Sequence, residues 1–304
     1  MIKTSNHKAF SLVEISMVIL VIGILIAGVS QGIDLYDDYR LTSARNLTKN
    51  SLVNRIPDLE MWFEATSENS LATGTTTFTD KANPADLDSI GRWNNINPNI
   101  LPSARNNATQ NNPTVSVDNQ PKYIRKGMNG LPTLLFDGTN DFFSFNGDFL
   151  VGSDYTIFVV EARDLQITNV NCFVGGNSSI YLQRLVLGYR SSSSTSIVIT
   201  HLHWQSDHDK SFYSLPPNIM HSFIFSKAVG KTIYTNGGSA LTKSDGNQKQ
   251  PLVSYLNPYI GKNNNIPFYK GSIAEMIFYS RALTDKERQG VEAYLAKKWG
   301  IKLE

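Results

Sequence analysis

The chain has 304 residues, of which 41% are hydrophobic and 18% charged, with a formal net charge of +2. This is enough apolar material for one large domain or two modest ones, and the charge gives no basic footprint, so nucleic acid is excluded as a primary partner. The single cysteine, Cys172, rules out an intrachain disulfide framework, and its setting in Asn171-Cys172-Phe173-Val174 predicts a buried, unreactive thiol.

All 12 prolines fall at Pro57 or later, as do 18 of the 21 glycines, so residues 1–56 can run as one helix while the rest must turn often. Residues 1–9 are short, polar and basic. From Ile15 to Ile33 there is no charge, a run of 19 residues against the ~20 needed to span hydrocarbon. An amphipathic stretch follows to Ile56, without the small-residue cleavage site that ends a signal peptide. Glu14 stands at the edge of the apolar run, where an ionised carboxylate is costly and marks function.

The segment KAFSLVEISMVILVIGILIAGV resembles the amino terminus of type IV pilins and type II secretion pseudopilins. The resemblance implies a prepilin leader at 1–9, cleavage by a prepilin peptidase between Ala9 and Phe10, N-methylation of Phe10, and an assembly role for Glu14. Ala9 departs from the glycine usual before the cut. Residues 10–56 then form the pilin-like helix with the transmembrane segment, and other pilin or pseudopilin subunits are the expected partners. The implied location is the bacterial inner membrane, single-pass with the head in the periplasm, then a pilus or pseudopilus at the cell surface.

Beyond Pro57, apolar runs recur at Thr133–Phe136, Tyr155–Ala162, Tyr181–Tyr189, Thr195–Trp204, Ile219–Ser226, Lys231–Thr235 and Ile273–Tyr279. Turn residues such as Asp137-Gly138 and Asn236-Gly237-Gly238 separate them, which predicts a β-sandwich. Tyr155–Ala162 is apolar on both faces, as a strand covered on both sides would be. Ser191–Ser194 reads as a loop. Thr284-Asp285-Lys286-Glu287 is a capping box that opens an amphipathic helix ended by Gly300.

Three pieces of this region resemble the concanavalin A-like, laminin G-like jelly rolls: Leu59–Ala65, the pair Asn129–Pro132 and Leu135–Gly138, and Gly271–Glu275 with Tyr294–Gly300. The expected fold is therefore mainly β: a long N-terminal α-helix, then a concanavalin A-like jelly-roll sandwich over 57–304 closed by a C-terminal amphipathic helix.

Candidate sites are sparse. Paired carboxylates are the requirement for glycoside hydrolysis, and Glu161 and Asp164, three apart, fall on opposite faces of a strand. His201 and His203 share a strand face, and Asp207, His208 and Asp209, read as a loop, would complete a zinc or nickel site. Asp137, Asn140 and Asp141 offer hard oxygens for calcium. Trp204 with Gln205 and Asp207, and Trp93 with its asparagine neighbours, are aromatic and polar groupings suited to a glycan. Taken together, these features predict a non-enzymatic filament subunit, a minor pilin or pseudopilin whose head recognises a glycan or surface protein. The alternative is a membrane-anchored carbohydrate-binding protein or glycan-active enzyme outside any filament.

Overall fold

The computed structural model describes residues 11–110, 117–164, 170–192, 197–264 and 268–304. The leader, Ala9 and Phe10 lie outside them, as does part of the Ser191–Ser194 run. Two compact units emerge, Met1–Ser43 and Ala44–Glu304.

Helix α1 (Leu12–Lys49) runs 38 residues without a proline. Its start is a reciprocal cap: the Glu14 amide donates to Ser11 Oγ at 3.2 Å, and the Ser11 amide donates to Glu14 Oε2 at 2.8 Å. The carboxylate thus satisfies an amide that a helix start leaves open. The apolar side chains from Leu12 to Ile33 are exposed. By length and composition this helix can cross a membrane, a test that a signal sequence also passes.

The described residues of the second unit contain eighteen strands: β1 (Leu59–Glu64), β2 (Leu71–Thr73), β3 (Thr79–Asp80), β4 (Arg92–Trp93), β5 (Ala108–Thr109), β6 (Lys122–Ile124), β7 (Thr133–Asp137), β8 (Phe143–Ser144), β9 (Tyr155–Arg163), β10 (Asn171–Gly175), β11 (Leu185–Ser192), β12 (Ile197–His203), β13 (Ser206–Phe212), β14 (Ile219–Ser226), β15 (Gly230–Thr235), β16 (Leu241–Lys243), β17 (Tyr259–Ile260) and β18 (Lys270–Tyr279). Every strand pairing is antiparallel. The first sheet runs β16-β15-β14-β9-β18-β7-β6, with β1 also on β18; the second runs β13-β12-β11-β10-β17-β8-β5-β4-β2-β3.

Strand β9 shows how alternation builds two cores. Tyr155, Ile157 and Val159 face the second sheet, joining Phe173, Leu187, Ile199 and Phe223 between the sheets. Phe158 and Val160 point the other way, onto helix α2 (Asp285–Trp299) through Val291, Leu295 and Trp299. The strand is covered on both faces, as its sequence predicts. Thr284 and Glu287 cap α2 reciprocally, and Gly300 ends it with φ +65°.

The segments that carried the jelly-roll resemblance meet under α2. Lys298 Nζ donates to Glu64 Oε2 at 2.8 Å, to Glu275 Oε2 at 2.9 Å and to Thr48 Oγ1 at 2.8 Å. Trp62 Nε1 and Trp299 Nε1 donate to Glu275 at 2.7 and 2.8 Å. All three charged side chains are fully buried. Burial opposes the charge on Lys298, but Glu275 and Glu64 outweigh it and raise its pKa.

Candidate functional site

Strands β12 and β13 form a hairpin that pairs His203 with Ser206, leaving Trp204 and Gln205 as its two-residue turn. Gln205 adopts φ +68° there, so its position serves the turn. The register settles where the alternating side chains go. His201, His203 and His208 point between the sheets and are fully buried. Tyr155 Oη lies 2.7 Å from His201 Nε2 and 2.6 Å from His203 Nε2, while His208 Nε2 is held at the Leu241 carbonyl at 2.7 Å. Burial lowers all three imidazole pKa values. The expected zinc or nickel site is corrected accordingly: these histidines are held in the core, and the described residues contain no group of three or more His, Cys, Asp or Glu able to hold a metal.

The calcium expectation meets a turn instead. Asp137 Oδ1 accepts the amides of Thr139 and Asn140 at 2.7 and 3.2 Å, and Asp141 Oδ2 accepts the Asp137 amide at 2.9 Å. Burial pushes the Asp141 carboxyl up to about 7, so a proton competes for it at neutral pH. Trp93 also departs from expectation. It is fully buried against Phe63 and Phe143, donating Nε1 to the Glu64 carbonyl at 3.2 Å, and presents no surface to a ligand.

The same alternation sends Thr200, Leu202, Asp207 and Asp209 to the outer face of the second sheet. There Cys172, Val186 and Leu202 form a small apolar floor against which Val170 and Trp204 pack. Arg190 ties the two aspartates together: Nη1 donates to Asp209 Oδ2 at 2.7 Å and Nη2 donates to Asp207 Oδ2. Each aspartate keeps its Oδ1 without a partner. On the same face, the Arg184 guanidinium lies 3.8 Å from the centre of the Trp204 ring. Trp204 Nε1, Thr200 Oγ1 and Asn263 Oδ1 are also buried and without partners. Native interiors leave few such groups, and several of them gather on this face, which makes it a candidate surface for a polar ligand. Cys172 lies in the floor with its thiol pushed up to about 12 by burial, which keeps it protonated and inert.

Asp207 and Asp209 are the site residues that the sequence reading misplaced. Read as a loop, 207–209 offers metal ligands; as strand β13 it offers two carboxylates at alternate positions on one face, the spacing a glycosidase pair needs on a single strand. A cleft of ≈ 370 Å³ near the end of α1 is the main rival location. Its Arg45 is occupied by the Thr66 carbonyl at 2.8 Å and by Glu68 at 3.1 Å, which makes the outer face the better candidate.

No family model matches the chain, and no curated protein does. Solved structures do share its fold. A GH54 α-L-arabinofuranosidase matches over 84% of this chain and 65% of its own, with TM-score 0.57 and 10% identity. Domain 4 of an extracellular GH43 arabinanase from Geobacillus stearothermophilus, in complex with arabinotriose, matches over 69% and 99%, with TM-score 0.47 and 16% identity. Trypanosoma rangeli sialidase matches over 80% and 33%, with TM-score 0.48 and 12% identity. The chain thus spans just under two thirds of the arabinofuranosidase and a third of the sialidase. The fold is that of the jelly-roll sandwiches found in glycoside hydrolases and lectin-like domains. The reading of a non-enzymatic filament subunit finds no support among them and is corrected: the fold is shared, at TM-score 0.57, with GH54 α-L-arabinofuranosidases. Within this chain the Glu14 carboxylate accepts the Ser11 amide at the helix start.

Proposed function

We propose that the chain is a membrane-anchored, glycan-active protein whose head takes an oligosaccharide across the outer face of the second sheet. The observation that carries this reading is the Asp207/Asp209 pair, tied by Arg190 beside Trp204 and retaining two unpartnered oxygens. Sugars present hydroxyl rows that carboxylates accept from and C–H faces that an indole covers. Helix α1 supplies the anchor.

The pair also suits hydrolysis. One carboxyl group protonates the departing glycosidic oxygen, and the other attacks the sugar carbon; water then replaces the enzyme oxygen and returns the proton. Two carboxylates meeting one guanidinium stand close together, nearer the ~5–5.5 Å of retaining enzymes than the ~6.5–9.5 Å of inverting ones.

The test is to incubate the detergent-solubilised chain with arabino-oligosaccharides and sialylated oligosaccharides and follow released sugar. Release that drops at least about a hundredfold in Asp207→Asn or Asp209→Asn is the expected outcome. Release unchanged in both variants, or no release from any substrate, contradicts the catalytic assignment.

A further inference from the structure

On the outer face of the second sheet two arginines sit under different conditions. Arg190 is half exposed and neutralised by Asp207 and Asp209. Arg184, by contrast, is 1% exposed, and its Nε and Nη1 have no hydrogen-bond partner. No carboxylate among the described residues forms an ion pair with it. Its contacts are the Trp204 ring above and the stem's packing against Gly176, where an added Cβ would fall 3.2 Å from Arg184 Cγ.

An unpaired buried charge is among the most expensive features a fold can hold, because water no longer solvates it and no counter-charge replaces the water. Stacking on an indole recovers only part of that cost. The nearest titratable groups worsen nothing and help little: Cys172 and Tyr255 both stay protonated, their pKa values raised by burial. Desolvation accordingly lowers the Arg184 pKa. Two other buried cations of this head have counter-charges. Lys298 has Glu64 and Glu275, and Arg288 has Glu292. Of these three, Arg184 has donors waiting, and the Trp204 ring is stacked against them.

We infer that Arg184 is the carboxylate-binding residue of an acidic-sugar subsite, so that the glycan taken by this face carries a uronate or sialate group. The fork of a guanidinium matches a carboxylate in two-point, charge-assisted hydrogen bonds. Trp204, half-buried at the hairpin turn, covers the guanidinium and moves aside or stacks on the incoming sugar ring. Asn263 Oδ1 and Trp204 Nε1 then accept from and donate to the sugar's hydroxyls. This inference rests on the glycan reading given above and narrows it to one substrate class.

The test compares glucuronate- and sialate-terminated oligosaccharides with the same compounds after reduction of the carboxylate to the alcohol, using titration calorimetry on the full chain. The unmodified protein should bind at least one acidic form about tenfold to a hundredfold more tightly than its reduced partner. Arg184→Gln should erase that difference between the acid and its reduced partner, and Arg184→Lys should restore part of it. Thermal unfolding is the control: a binding arginine held at a cost predicts an equal or higher Tm in Arg184→Gln, whereas a purely structural one predicts a lower Tm. Equal affinity for acid and alcohol in the unmodified protein overturns this inference alone, without requiring any variant to fold. Binding of neither form overturns the glycan reading and this inference with it.

Discussion

Lys231 carries an amine where the fold penalises charge. It is fully buried and donates to the Ser206 carbonyl and hydroxyl at 2.8 Å and to Gln248 Oε1 at 3.2 Å. Burial pushes its pKa down to about 7. Between that value and the ~10.4 of an unfolded lysine, the unfolded chain binds more protons than the folded one, so stability rises with pH through this window. Urea midpoints should climb from pH 7 towards pH 10, and Lys231→Met should flatten the climb. Lys298 is the opposite case, a buried cation with two anions around it. Lys298→Met leaves Glu64 and Glu275 uncompensated and should cost about 3–5 kcal/mol by urea denaturation. Adding Glu64→Gln and Glu275→Gln should recover a large part of that loss, because a neutral hydrogen-bonded cluster replaces an unpaired charge.

Among the elements, α2 was the most legible in sequence and β13 the least. Thr284, Glu287 and Gly300 announce the helix, and the structure uses all three in those roles. Glu287 adds a bond that sequence did not reveal, a two-point pair with Arg281 at 2.5 and 3.0 Å. That pair holds the Glu287 carboxyl down at about 2. A depressed acid stabilises the fold above its unfolded pKa of ~4.3 and loses that contribution as pH falls towards 2. Acid unfolding should therefore begin at lower stability and slope less in Glu287→Gln, seen by circular dichroism between pH 5 and 2. Strand β13, SDHDKSF, has no apolar alternation to reveal it. Several of its inward residues are polar and find partners across the core, Ser206 in Asn247 and Lys231, His208 Nε2 in the Leu241 carbonyl. That hidden partnering is why the aspartate pair escaped notice, although the tandem D-x-D spacing was there to be read.

At the scale of the whole chain, the sandwich and its strands were visible as apolar runs split by turns, and the segments that carried the jelly-roll resemblance proved to build the polar cluster under α2. The site was far less visible. Arg184 sits in Gln183-Arg184-Leu185 with nothing local to say it is buried, since burial comes from the Trp204 turn in the next hairpin and from the backbone near Gly176 at the end of the preceding strand. In the N-terminal helix, Glu14 reads in sequence as a carboxylate at the edge of an apolar run, and the structure adds a local cap with Ser11 three residues away. A glycan array probed with the detergent-solubilised full chain tests the central claim most directly. The account predicts signal on a restricted set of oligosaccharides, reduced at least about tenfold by Trp204→Ala, which removes the ring from the site. Signal indifferent to Trp204→Ala, or none above background on any glycan, would contradict it.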